Sequence, residues 1–208
     1  MGGQASVLWD MIEVRGSNLL LSSAGKGLDN RRCSLTPWLA DVQAVLSTTP
    51  ERWQRLVSTL PIDLLTRPPA AGEWSALQCL QHLLDAEYLV FPVRFHAFLA
   101  GLEFVDFDPN EPHPGTESLT PEQLMAAFAR ARKASLNLFN QVTDDDLGRT
   151  KQHPTLGGVT LAEMLHTWAA HDLNHTVQAE RALMHPFLLG CGPWRPFFRD
   201  HEIGGQKE

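Results

Sequence analysis

The chain has 208 residues, with 24 acidic and 17 basic side chains and a formal net charge of -7. This length favours one domain with a single buried core. The acidic balance argues against nucleic acid as a partner, and no apolar run approaches the roughly 20 residues that span a bilayer, so no membrane partner is expected either. The three cysteines lie far apart without a C-x-x-C pair, which indicates a reducing, cytoplasmic compartment.

Residues 1–35 differ in composition from the rest of the chain. They are rich in Gly and Ser, and they lack the ordered basic start, apolar centre and cleavage site of a secretory signal. Met1–Ser6 fits the bare N-myristoylation pattern, which is short and common. We predict a disordered leader over 1–35, with an upstream start codon or an expression remnant as alternatives, then a folded domain over 36–200 and a tail over 201–208.

Two long helices are predicted in the first half of the domain. The first begins at Thr36–Pro37, a cap residue followed by proline, and Pro50 is expected to kink or divide it. The second begins at Ser75 in a capping-box pattern and is predicted to end at Gly101. Its apolar side chains recur every three or four residues on two stripes, which indicates a helix buried between neighbours.

Two more helices follow a long acidic loop over 102–119. Thr120 and Thr160 each begin a capping-box pattern, and Pro186 is expected to close the last helix. The aromatic segment from Gly192 onward is expected to pack against the domain. No strand alternation is convincing, so the sequence predicts an all-α four-helix bundle.

The chain contains nine histidines, a number that its overall composition does not account for. His171 and His175 share one face of the fourth helix, a spacing that lets two imidazoles bind one metal, although chance gives roughly 0.4 such pairs. Both lie within or at the rim of the helix's apolar arc, whereas His166 points away from it. His82 on the second helix is the best candidate for a third ligand. The alternative is that all three are core histidines bonded to carboxylates or backbone carbonyls.

Three motifs stand in order along the chain. They are Trp74–Ser75 with the sequence HLLDAE over 82–87, the sequence HDLNH over 171–175 followed by Gln178, and GPWRP over 192–196. Together they resemble the DinB/YfiT-like superfamily, a group of metal-binding helical bundles that is distinct from the DNA polymerase sharing the name. The resemblance covers residues 36–200.

The resemblance implies a four-helix bundle with up-down-down-up connectivity that forms a homodimer. It also implies a divalent metal, Zn or Ni, held by three histidines that map onto His82, His171 and His175. Three neutral imidazoles leave the ion's charge largely uncompensated, and such an ion lowers the pKa of a bound water or thiol.

The predicted function follows from this metal site. The family favours a thiol-dependent S-transferase or isomerase that uses a low-molecular-weight thiol and a small-molecule substrate. A metal-dependent hydrolase and a non-catalytic metal-binding or small-ligand-binding protein of the stress response are the alternatives. A plain bundle that acts through partner contacts also stays open. No residue is assigned as catalytic, because no carboxylate is obviously placed as a general base.

Other polar residues are candidates for supporting roles. Asp172 lies on the inward arc beside the histidines, either as a hydrogen-bond partner of a ligand or as a structural carboxylate bonded to tryptophan or arginine. Asp85 follows His82 by three residues and is a weaker candidate of the same kind. His153 precedes the fourth helix and is a candidate for the site mouth. Glu87 and Arg94 are predicted to pair on one helix face.

Overall fold

The computed structural model describes residues 36–104, 116 and 118–203, so the predicted leader, most of the acidic loop and the end of the tail lie outside the described residues. The elements in chain order are α1 (Pro37–Thr59), α2 (Ile62–Thr66), α3 (Ala76–Leu89), α4 (Phe91–Ala100), α5 (Pro121–Leu138), a 3-10 turn (Phe139–Gln141), α6 (Asp144–Leu147), β1 (Thr150–His153), β2 (Gly157–Thr160), α7 (Leu161–Gly190) and a 3-10 segment (Gly192–His201).

Three of the four predicted helix starts are confirmed together with their caps, and α1 begins at Pro37 as predicted but without a side-chain cap hydrogen bond from Thr36. At Ser75, Thr120 and Thr160 the cap hydroxyl accepts the backbone N–H three residues on, and the side chain at that position accepts the cap's own N–H. Each reciprocal pair satisfies two backbone donors that a helix terminus leaves without intrahelical partners. These caps fix where α3, α5 and α7 begin.

Prolines divide the helices differently from the prediction. The second predicted helix is two helices, because Val90 leaves helical geometry (φ -119°, ψ -80°) between α3 and α4. Pro92 interrupts the helical hydrogen bonds at this point, since it has no N–H to donate to the Tyr88 carbonyl. Conversely, α7 continues through Pro186 to Gly190, so the predicted end at Pro186 was wrong. Leu188 in this extra turn is buried.

A small hairpin precedes α7, where the sequence analysis predicted no strand. β1 and β2 pair antiparallel, with Thr150 opposite Thr160 and His153 opposite Gly157. Gly157, the first residue of β2 after a three-residue loop, has φ 76°, which glycine adopts without strain. The strands are short, their residues are exposed or half-buried, and β1 is polar throughout, so the sequence lacks the alternation of polar and apolar residues that identifies a strand.

The tail also differs from its prediction. Residues 192–201 form 3-10 turns without a single buried side chain, and Trp194 and Phe197 are 65% and 82% exposed. The aromatic side chains of this segment are therefore not buried among the described residues.

The long helices form the predicted four-helix bundle, in which α1 and α3 each pack against both α5 and α7. Buried apolar residues form two clusters, one centred on Phe95 and Trp168 and the other on Trp53 and Phe128. Between them along α3, α5 and α7 lie buried polar side chains. The up-down-down-up connectivity stays a prediction. No helix in the described part of the chain is long and apolar enough to cross a membrane.

Candidate metal centre

The structure brings the three predicted histidines together between α3 and α7. His82 projects from α3, and His171 and His175 project from successive turns of α7. One ring nitrogen from each lies within 4.8 Å of the other two. The Nε2 atoms of His82 and His171 are 3.0 Å apart, and the His175 ring centroid lies 4.5 Å from each of the other two. We call these residues the three-histidine cluster.

The cluster is uncharged at neutral pH. Burial, reinforced by the neighbouring His175, lowers the pKa of His82 to about 4. Burial, together with the other two rings and Arg132, lowers the pKa of His171 to about 3. Burial also lowers the pKa of His175. Because a metal binds the neutral imidazole, these rings need no deprotonation step near pH 7.

Hydrogen bonds orient the rings. The Nδ1 atom of His175 lies 2.9 Å from the Gln178 amide oxygen, an acceptor, so Nδ1 carries the proton and Nε2 keeps a free lone pair. The Nδ1 atom of His171 is buried with no hydrogen-bond partner among the described residues. Among the described residues this ring is therefore within hydrogen-bonding distance of a partner only on its Nε2 side, which faces His82.

Two aromatic side chains wall the cluster. Trp74, beside the cap of α3, lies 5.7 Å from the His175 ring in a stacked arrangement and 5.0 Å from the His82 ring. Phe91 contacts the His171 ring edge-on at 5.1 Å. Phe91 is the first residue of α4, so the helix break at Val90 places this ring. The walls limit water around the nitrogens.

The donor set fits a divalent transition metal. Zn–N bonds of about 2.0–2.1 Å place tetrahedral ligand nitrogens roughly 3.3 Å apart. The separation of 3.0 Å between His82 and His171, and the 4.8 Å limit for the set, need only small side-chain rotations to meet that geometry. Three imidazoles also leave at least one position open for water or a substrate.

Asp172 does not bond to a histidine ring in the described contacts. Its carboxylate accepts two parallel hydrogen bonds from Arg132, from Nη1 at 2.6 Å and from Nη2 at 2.9 Å. This is the structural alternative stated for Asp172. Arg132 also binds Glu87, from Nε at 2.8 Å and from Nη2 at 2.6 Å. The predicted pairing of Glu87 with Arg94 was therefore wrong, and Arg94 lies over the Phe104 ring instead.

The remaining candidates lie around the cluster at different distances. Asp85 is buried and accepts hydrogen bonds from Gln81 at 3.1 Å and Thr116 at 3.4 Å. His153 lies at the loop end of the hairpin, where it contacts Phe104. Thr160, where the hairpin meets α7, precedes His171 by eleven residues, which is about 16 Å along a helix. A role of His153 at the site mouth stays a prediction.

Sequence reasoning did not assign roles to Gln178 and Arg132. Gln178 follows His175 by three residues on one helix face, so its spacing carried a usable signal. Arg132 lies on the apolar stripe of α5 with Phe128 and Ser135. A buried arginine needs carboxylate partners, but their identity depends on tertiary packing.

Comparisons with known proteins agree with this architecture. Residues 46–179 match the model of the DinB superfamily. YfiT from Bacillus subtilis, described as a probable metal-dependent hydrolase with an unusual four-helix bundle topology, has a similar structure with a TM-score of 0.64 and 20% sequence identity. The match covers 75% of this chain and 91% of YfiT. No curated protein matches the sequence.

Proposed function

Because this chain belongs to the DinB superfamily, we propose that it is a divalent-metal-dependent enzyme in which His82, His171 and His175 hold the ion. The observation that carries the proposal is the convergence of three uncharged ring nitrogens within 4.8 Å. Zn and Ni are the proposed metals, since imidazole nitrogen suits both. A cytoplasmic homodimer completes the proposal and rests on the cysteine usage and the family resemblance.

When bound, such an ion lowers the pKa of a water or thiol and so supplies a nucleophile at neutral pH. The protein's own residues prepare the site for it. Gln178 holds the proton of His175 at Nδ1 and leaves Nε2 available. Trp74 and Phe91 exclude water from two sides and fix the ring planes.

A thiol-dependent transferase or isomerase acting on a small molecule is our first candidate for the reaction. The carboxylates nearest the histidines in sequence are all engaged, because Glu87 and Asp172 bind Arg132 and Asp85 accepts from Gln81. A thiol that binds as thiolate needs no protein base for its attack. The substrate and a low-molecular-weight thiol such as glutathione, bacillithiol or mycothiol are parts of this proposal.

A metal-dependent hydrolase is the second candidate. Its support is the structural similarity to YfiT, itself described as a probable metal-dependent hydrolase. The two candidates share the metal centre and differ in the nucleophile, so substrate panels separate them. Turnover of small electrophiles only with added thiol indicates the first, and turnover of esters or amides without thiol indicates the second.

Metal analysis of the untagged protein tests the shared part of the proposal. We expect about one Zn or Ni per chain in the wild type and none in His171→Ala, with unchanged helix content by circular dichroism. The matched control is His166→Ala on the same helix, because His166 is exposed and stacks on Trp38 at 4.3 Å. Wild-type protein without stoichiometric metal refutes the metalloenzyme. Metal without turnover in either panel indicates a binding protein.

A further inference from the structure

One arginine joins all four long helices at the level of the metal centre. Arg132 on α5 binds Glu87 of α3 and Asp172 of α7, and its Nη1 donates to the Leu46 carbonyl of α1 at 2.9 Å. Ser135 and Trp168 donate to the same Glu87 carboxylate at 2.6 and 3.2 Å. We call these side chains and the Leu46 carbonyl the Arg132 cluster.

The Arg132 cluster is built on the two helices that carry the histidines. Glu87 follows His82 by five residues, about 7.5 Å along α3, and Asp172 is adjacent to His171. The side chains of Arg132, Glu87 and Asp172 are at most 1% exposed. One planar guanidinium therefore fixes the positions of both carboxylates. An ion pair between flexible side chains on the surface does not fix positions in this way.

We propose that Arg132 is a positioning residue of the metal centre, which sets the separation and rotation of α3 and α7 and hence the spacing of the three histidine rings. The reason is geometric. The two parallel bonds to Asp172 restrict rotation of α7 next to His171, and the bonds to Glu87 tie α3 to the same rigid group. This inference rests on the proposed metal site.

Arg132→Lys tests this role because it keeps the positive charge and much of the stem. A single ammonium cannot reproduce the fork that spans both carboxylates. Residues that support metal ligands indirectly typically contribute about 10–100-fold to metal affinity. We therefore expect about 10–100-fold weaker binding of Co²⁺ and altered Co²⁺ d–d absorption bands, which report ligand geometry independently of activity.

Two further variants serve as controls. Glu87→Gln removes a charge, but its amide oxygen still accepts from Arg132, so the Co²⁺ bands should stay as in the wild type. Asp146→Asn weakens another arginine pair, with Arg149 at 2.8 Å, and a cap at Thr143. It should lower the melting temperature without changing Co²⁺ affinity or bands.

The outcomes separate this inference from the proposed function. Wild-type bands and affinity in Arg132→Lys overturn the positioning role while the metal site stands. Equal band changes in Glu87→Gln and Arg132→Lys also overturn it, because charge would then be the cause. Failure of the wild type to bind Co²⁺ overturns both. If Arg132→Lys does not fold, Asp172→Asn replaces it, because its amide nitrogen breaks one of the two parallel bonds and should shift the bands in the same way.

Discussion

Replacing Arg132 by methionine gives the most demanding test of the buried charge network. The side chain makes four hydrogen-bonded or ionic contacts to carboxylates at 2.6–2.9 Å, and the partners are 0% and 1% exposed. Removing one partner of a buried ion pair costs about 3–5 kcal/mol, because the remaining charge has neither water nor a counterion. We expect a loss in this range for Arg132→Met, a large share of the 5–15 kcal/mol typical of a native domain.

Urea denaturation of the metal-free proteins, followed by circular dichroism, measures this loss. The loss of stability in Arg132→Met is expected to change with pH in one direction only. Burial raises the pKa of Glu87 above its ordinary value even with Arg132 present to oppose the shift. Without Arg132 the folded state holds this proton more strongly than the unfolded chain, so the penalty is greatest above the raised pKa and shrinks as the pH falls below it.

A control variant isolates the charge effect. Glu87→Gln in the Arg132→Met background removes one uncompensated carboxylate, so it should recover part of the lost free energy at pH 7. A loss below about 1 kcal/mol for Arg132→Met, which is the scale of an exposed pair, would refute the reasoning. A loss that grows as the pH falls would refute it as well.

Three further predictions follow from the site. Denaturation series should show that the metal-free protein loses stability as the pH falls from about 6.5 to about 4. In this range the histidines of the unfolded chain become protonated, whereas His82 (pKa about 4) and His171 (pKa about 3) stay neutral in the folded state. A stability that does not change with pH in this range contradicts the prediction. Gln178→Leu removes the acceptor that holds the His175 proton at Nδ1, so Zn binding should weaken about 10–100-fold in competition titrations. Unchanged Zn affinity excludes a role of Gln178 in orienting His175. Because burial raises the pKa of Cys79 to about 12, its peptide should stay unalkylated by iodoacetamide at pH 8 until the protein unfolds, and rapid labelling of folded protein would contradict its burial.

Features governed by local chemistry were predicted best from the sequence. The capping boxes at Ser75, Thr120 and Thr160 need only two side chains three residues apart, so their prediction required no tertiary information. The convergence of His82 with His171 and His175 needed the family resemblance as well, because periodicity alone placed His82 off the main apolar stripe.

Features that depend on tertiary packing as well as on local sequence preference were not predicted. Pro92 lies at a helix break, whereas Pro50 and Pro186 lie inside helices, although none of the three has a backbone N–H to donate. The difference depends on what else the surrounding turn packs against, which a single sequence does not contain. The pairing of Glu87 fails for a similar reason, because Arg94 is close in sequence whereas Arg132 is 45 residues away.

Pro50 shows how one such local defect is used by the fold. A proline at this position leaves the Leu46 carbonyl without its intrahelical donor, and a buried carbonyl without a partner is costly. Arg132 donates Nη1 to this oxygen at 2.9 Å, so the orphaned acceptor of α1 is satisfied by the same guanidinium that holds α3 and α7. Arginine has five N–H donors in a fixed plane, so one side chain can bind two carboxylates and a carbonyl at once. The single ammonium of lysine cannot do this. The helix defect and the buried arginine therefore depend on each other, and together they fix the helix pair that carries the three-histidine cluster.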